Sequence, residues 1–250
     1  NNPASKPSGS VPACVGHAIF IVLLLGLAGC AAPPSASAAK AAPGGDPNPI
    51  GQLAKMDMDR FADVEMRENT ASLRSLMLKL YKRNPRELRK SSAGEAEGWV
   101  GSVFDSRSDW RFREINELQG VDAIHQALRA DFTGDRVLSL VVGLQTMLVK
   151  AHGGKTEFYF TDSIDPQAIY NVARNIEIAV WKLSNARDEY GQLLLLSNEA
   201  NDTDRNLSFE REFGKIIGRL DLFALALAEK SDRAVTRVMQ SMATALFLPF

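Results

Sequence analysis

The sequence predicts a mainly α fold, an irregular bundle of about six helices with at most a short β segment. Three observations predict it. From about Leu53 onward apolar residues recur with a period near 3.6, one segment between Asp135 and Lys150 is apolar on nearly every side, and Asp165-Pro166 is a strong helix start. The composition is ordinary for a globular protein, with 45% hydrophobic and 24% charged residues and a formal charge of -1 over 250 residues. No basic excess exists to neutralise phosphates, so nucleic acid is not an expected partner.

The elements follow in chain order. Met66, Leu73, Leu76, Met77 and Leu80 form one helical stripe that extends back through Phe61 and Val64. Asn84-Pro85 ends it, because proline disfavours helix at the residue before it. Asn84 is then placed to cap a short new turn, with Pro85 in its first position and Glu87 completing a capping box. Residues 91–118 carry Gly94, Gly98 and Gly101 among Trp99, Phe104, Trp110 and Phe112, and read as a long structured connection with room for short strands. Periodicity resumes with Val121, Ile124, Leu128 and Phe132.

The next helix holds Val137, Leu138, Leu140, Val141, Val142, Leu144, Met147 and Leu148, a pattern expected at the centre of a bundle. It is too short and too interrupted by polar residues to span a membrane. Asp165 caps the following helix, Pro166 fits its first position, Ile164 staples onto Ile169, and Ile169, Val172, Ile176, Val180 and Leu183 make its apolar face. Two helices close the sequence. One carries Phe209, Phe213, Ile216, Leu220, Phe223 and Leu227; the other, opened by Ser231, carries Val235, Val238, Met242 and Leu246. Only residues 155–161 look strand-like, and no repeat of 20–50 residues is visible.

The start of the sequence has a different character. Lys6 is the only charged side chain before Cys30. Residues 18–29 are an uncharged apolar run, whereas a spanning helix needs ~20 such residues, so the length is that of a signal-peptide core. The run ends in Leu27-Ala28-Gly29-Cys30. This resembles the lipobox of bacterial lipoproteins at all four positions. The resemblance implies that Leu27, Ala28 and Gly29 are read by a signal peptidase, that Cys30 becomes the first mature residue, and that its thiol carries a lipid. Two or three acyl chains at ~0.8 kcal/mol per buried methylene hold a protein firmly where one is marginal. Ala31 follows the cysteine where aspartate favours inner-membrane retention, which implies the periplasmic face of the outer membrane, with the inner membrane as alternative.

Residues 31–49 contain five prolines and seven alanines with no large apolar side chain, and are expected to form a flexible tether that reaches ~25 Å. The domain organisation that follows is residues 1–29 as signal peptide, 30–50 as lipidated cysteine and tether, and 51–250 as the helical domain. Cys14 leaves with the signal peptide, so the mature chain keeps one sulfur and no internal disulfide.

Catalytic signals are weak. His125 sits beside the Val121/Ile124/Leu128 stripe and reads as a core-edge histidine with no metal-ligand partner at a suitable spacing. His152 and Lys155 lie in Ala-His-Gly-Gly-Lys-Thr-Glu, the best ligand-site candidate, since two glycines, a lysine and a threonine could cradle an anion. The segment follows a helix and lacks the first glycine of a P-loop, so a glycine helix stop is the simpler reading. Asp202, Asp204 and Asn206 begin like a calcium loop, but Leu207 and Phe213 stand where glycine and glutamate belong. No catalytic or metal site and no cofactor is expected beyond the covalent lipid on Cys30.

The function expected is that of a non-enzymatic interaction or assembly module of the cell envelope, held to the membrane by its lipid and binding envelope proteins. The alternatives are a helical module for a lipid or other apolar ligand, with a cavity beneath the 137–148 helix, and an envelope hydrolase. Residues 246–250, Leu-Phe-Leu-Pro-Phe, are expected to pack on the bundle or to offer an apolar patch to a partner.

Overall fold

Four long helices close a ring, each packed on two of the others. They are α1 (Asp57–Arg83), α5 (Arg136–Ala151), α6 (Pro166–Asn185) and α7 (Ser208–Ser231), with α1 touching α5 and α7, and α6 touching α5 and α7. Three shorter helices complete the body: α2 (Pro85–Ser91) and α3 (Ala96–Asp105) lie on α1, and α4 (Gly120–Ala127) packs on α5. The structure, a computed structural model, describes residues 57–105, 109–159, 163–197, 199–200, 205–206, 208–231, 235 and 246–250. All of them fall in one unit, Asp46–Phe250. The expected signal peptide, Cys30 and the expected tether lie outside the described residues.

The mainly α expectation holds, with seven α-helices among the described residues. Among the described residues the β structure is a two-residue antiparallel pairing of β1 (Glu199–Ala200) with β2 (Arg205–Asn206); of the strand expected at 155–161, residues 155–159 form none and 160–161 lie outside the described residues. Of that stretch, Phe158 is buried and its backbone N–H donates to the Asp63 carboxylate at 3.0 Å, so a side chain takes the place of a strand partner.

α1 carries Asp57 and Asp59 in its first turn and Lys82 and Arg83 in its last, the sense that suits the helix dipole. Its core stripe is the expected one, Met66, Leu73, Leu76, Met77 and Leu80, all buried. The extension differs. Phe61 packs edge-on against Phe223, but Val64 is 42% exposed, and the stripe instead runs through Glu65, Asn69 and Ser72, three buried polar residues at helical spacing.

Asn84 does precede α2, but its side chain makes no cap bond. It donates to Leu80 O and Leu196 O and accepts from Leu196 N, fastening a distant loop to the end of α1. Glu87 completes no capping box either; its carboxylate accepts from Arg136 N at 2.8 Å and from Lys90. A free backbone N–H at the start of α5 outcompetes the local one for that carboxylate.

Residues 91–118 are more helical than expected. Ala96, Val100 and Val103 form a buried i, i+4, i+7 face in α3, and a 3-10 turn spans Arg113–Ile115. Gly98 faces open space, and Gly101 lies under the bidentate Arg74–Asp105 ion pair that ties α3 to α1. α4 is shorter than its apolar spacing suggests. Leu128 and Phe132 lie beyond it, because the Arg136 guanidinium collects the carbonyls of Ala127, Arg129, Ala130 and Phe132 and curls the chain around itself.

α5 begins at the expected place. The Asp135 side chain accepts from Leu138 N, and its second oxygen accepts from the buried Tyr81 hydroxyl at 2.7 Å, which in turn accepts from Trp99 Nε1. α5 packs most closely at Gly143, where a Cβ would fall 2.6 Å from Ile124 Cγ1 and 2.7 Å from Gly120 O. Asp165 caps α6 as expected, accepting from Gln167 N with Pro166 at the first position. Ser231 ends α7 instead of opening a new helix, its hydroxyl donating back to Leu227 O; of the stripe expected after it, Val235 and Leu246 are not helical, and Val238 and Met242 lie outside the described residues. Among the described residues no helix is long and apolar enough to cross a membrane.

Candidate functional site

The 152–155 turn, the best ligand candidate in the sequence, terminates α5. Gly154 N donates to Val149 O and Gly153 N to Lys150 O, and both glycines have φ near +77°, a region closed to most side chains. This is the Schellman pattern of crossed bonds. It uses the two glycine N–H groups that an anion would need, so the cradle is already filled by the helix's own carbonyls. Lys155 is exposed on the turn, while His152 points the other way and is buried.

His152 belongs to a polar chain between helices. Its Nδ1 lies 2.8 Å from Leu148 O and its Nε2 2.9 Å from Glu65 Oε2. A carbonyl only accepts, so Nδ1 carries a proton, and a second proton is shared between Nε2 and the carboxylate. The other Glu65 oxygen accepts from Asn69 Nδ2. Asn69 Oδ1 accepts from Arg219 Nη1 at 3.0 Å, which also reaches Ser72 Oγ and Glu68 O. The imidazole stacks on Phe223 at 5.6 Å and 9° and tilts against Phe158. With both side chains walled off from water, this pair joins α1, α5 and α7 rather than meeting a substrate. Glu65, Asn69 and Ser72 on α1 and Arg219 on α7 are not among the sequence candidates, although the helical spacing of the first three is a visible signal.

A surface feature that could receive something lies on the other side of α5, beside the start of α4. An open groove of about 1060 Å³ is walled by Trp110, Val121, Thr146, Val149 and Lys150 on one side and by residues 247–250 on the other. Its floor is fixed. Gln119 Nε2 donates to Asp109 O, Gly120 N donates to Thr146 Oγ1, and Trp110 meets Phe104 edge-on at 5.3 Å. The apolar-ligand reading places a cavity beneath α5, yet Val137, Leu138, Leu140, Val141, Val142, Leu144, Met147 and Leu148 are packed at 0–1% exposure. The groove opens at the Thr146–Lys150 edge instead.

Residues 246–250 pack on the bundle, one of the two expected outcomes, and they do so as an extended strip. Asn175 Nδ2 donates to Leu248 O at 2.8 Å while its Oδ1 accepts from Leu248 N at 2.6 Å, and Asn171 Nδ2 donates to Pro249 O at 2.8 Å. Asn175 and Asn171 are one turn apart, so the strip runs antiparallel to α6. Lys182 lies over the Phe247 ring and Lys150 over the Phe250 ring at 5.6 and 4.9 Å, within cation–π range. His125, exposed at the edge of α4, meets Phe247 at 5.0 Å. Partial desolvation of the ring, with Lys182 nearby, lowers its pKa, so the ring is neutral and apolar enough to pack there near neutral pH. A second depression, bordered by His125, Trp181 and Phe247, continues the same face.

The described residues contain no group of three or more His, Cys, Asp or Glu side chains placed to hold a metal ion. No protein family, no curated protein and no solved structure matches the chain.

Proposed function

We propose that the protein is a bacterial envelope lipoprotein, lipidated at Cys30 and tethered to the periplasmic face of the outer membrane, whose helical body is a non-enzymatic docking module for envelope proteins. The anchor is supported by Leu27-Ala28-Gly29-Cys30 at the end of an apolar run and by the proline- and alanine-rich stretch after it. The observation that carries the docking role is the extended strip at 246–250, whose main chain is held by Asn175 and Asn171 on the body's surface. A face that grips peptide backbone suits a polypeptide partner.

The test is made in intact cells. Labelled palmitate is expected to enter the wild-type protein and not Cys30→Ala, and a photocrosslinker at Val121 or Val149 is expected to trap a recurrent envelope protein. Label retained in Cys30→Ala removes the anchor; crosslinks with no recurrent partner remove the docking role. The apolar-ligand reading is favoured by the groove's volume and its Trp110 and Val149 walls. Displacement of a bound fluorescent fatty acid by mutation of Val149 to Asp would select it.

A further inference from the structure

We propose that the α4–α5–α6 face binds peptide, and that residues 246–250 lie on it, beside the groove, in place of an extended segment from a partner polypeptide with two aromatic residues three positions apart. The inference deepens the docking-module reading and rests on it, but not on lipidation.

Three features of the strip define what the face accepts. First, it is read through its backbone. The paired bonds of Asn175 to the N–H and C=O of one residue, and the Asn171 bond to the next carbonyl, demand an extended chain with a free N–H at the 248 position. They demand nothing at 249, where proline has no N–H to give. Any polypeptide can supply those groups. Second, side-chain selection falls on positions 247 and 250, where Lys182 with His125, and Lys150, face the two rings. Cationic nitrogens over ring faces favour aromatic over aliphatic residues. Leu246 is 78% exposed and Pro249 is exposed, so the other positions are weakly read.

Third, the strip leaves the face partly empty. The groove beside Phe250, walled by Trp110 and Val149, has room for more than these five residues fill. A longer or larger partner segment can therefore repeat the strip's contacts and add its own. Asn175 is fully buried and spends its amide on the strip's main chain, so an incoming segment must offer the same N–H and C=O pair to replace the one it displaces. The contact is built to be exchanged. An occupant on the same chain acts at an effective concentration of order ~1 mM, so a partner competes against it and binds more tightly once it is removed.

The experiment measures fluorescence anisotropy of a labelled synthetic peptide, Leu-Phe-Leu-Pro-Phe with blocked ends, against the full chain. Phe247→Ser with Phe250→Ser should free the groove and tighten binding at least tenfold relative to the wild type. Adding Asn175→Ala to that variant should lose at least tenfold, and a peptide of the same composition with its aromatics adjacent should bind at least tenfold more weakly. Equal binding by wild type and freed variant, or none by either, overturns the proposal. Should the freed variant unfold, hydrogen exchange on the wild type decides: saturating peptide is expected to accelerate exchange at Leu248, and unchanged protection refutes displacement. Self-association of the wild type that the double variant abolishes would make a second copy the occupant and overturn the partner assignment. Repeating the titration with Cys30→Ser separates the two readings, since loss of the anchor leaves peptide binding intact.

Discussion

The Glu65–His152 pair gives the sharpest test of how the bundle is held. Both side chains are at most 1% exposed and face each other at 2.9 Å across the α1–α5 contact. His152→Leu leaves Glu65 with Asn69 as its remaining partner in a site closed to water, and removing one member of a buried pair costs about 3–5 kcal/mol. Glu65→Leu leaves the imidazole Nε2 unpaired and deprives Asn69 of an acceptor, about 1–3 kcal/mol. The double variant removes the unpaired charge and the unpaired nitrogen together, leaving only the Asn69 loss and the repacking, about 1–2 kcal/mol. The singles therefore overshoot the double by at least about 2 kcal/mol. Urea unfolding followed by circular dichroism, run as a double-mutant cycle, measures that coupling directly. Additivity within about 0.5 kcal/mol would refute the pairing and with it the view that this chain of side chains joins the three helices.

Four further outcomes follow from the same geometry. Arg136→Ala strips one guanidinium from four carbonyls and should lower unfolding free energy by about 2–4 kcal/mol, with Arg136→Lys recovering only part, since an ammonium cannot span the set. Gly143→Ala drives a Cβ into Ile124 and the Gly120 backbone and should cost about 1–3 kcal/mol by the same melt. Burial raises the Asp135 pKa above its unfolded value near 3.8, so the folded state holds that proton more tightly; the stability of the wild type minus that of Asp135→Asn should fall as pH climbs from about 4 through the raised value, and a rise would reverse the assignment. Arg74→Ala removes an exposed ion pair and should leave the urea midpoint unchanged.

How much of this was legible in the sequence depended on what kind of contact did the positioning. Apolar stripes announce helices because their period is local, which is why α1, α5, α6 and α7 were visible. The caps at Asp135 and Asp165 were equally local. Where a side chain reached across the fold the reading failed. Asn84 and Glu87 satisfy a local capping pattern, yet their partners are Leu196 and Arg136, far along the chain. Leu128 and Phe132 keep a helical spacing, but Arg136 bends the backbone between them out of the helix. The groove was illegible for the same reason. Asn175 stands in an apolar stripe beside Ile176, an anomaly the sequence displays, but only the fold brings residue 248 to it.

The buried polar residues divide by what walls them in. Glu65, Asn69 and His152 are enclosed between helices and closed to water, so a lost partner is not replaced, and together they join α1, α5 and α7. Asn175 has the same burial, but its amide is spent on the main chain of residue 248. Another main chain in the strip's place remakes those bonds, whereas separating α1 from α5 strands an ionisable pair. Equal burial therefore means opposite things at the two places: permanence where helices supply the wall, and exchangeability where a short strip does. That difference is why the docking role is proposed for the 246–250 face and not for the histidine pair.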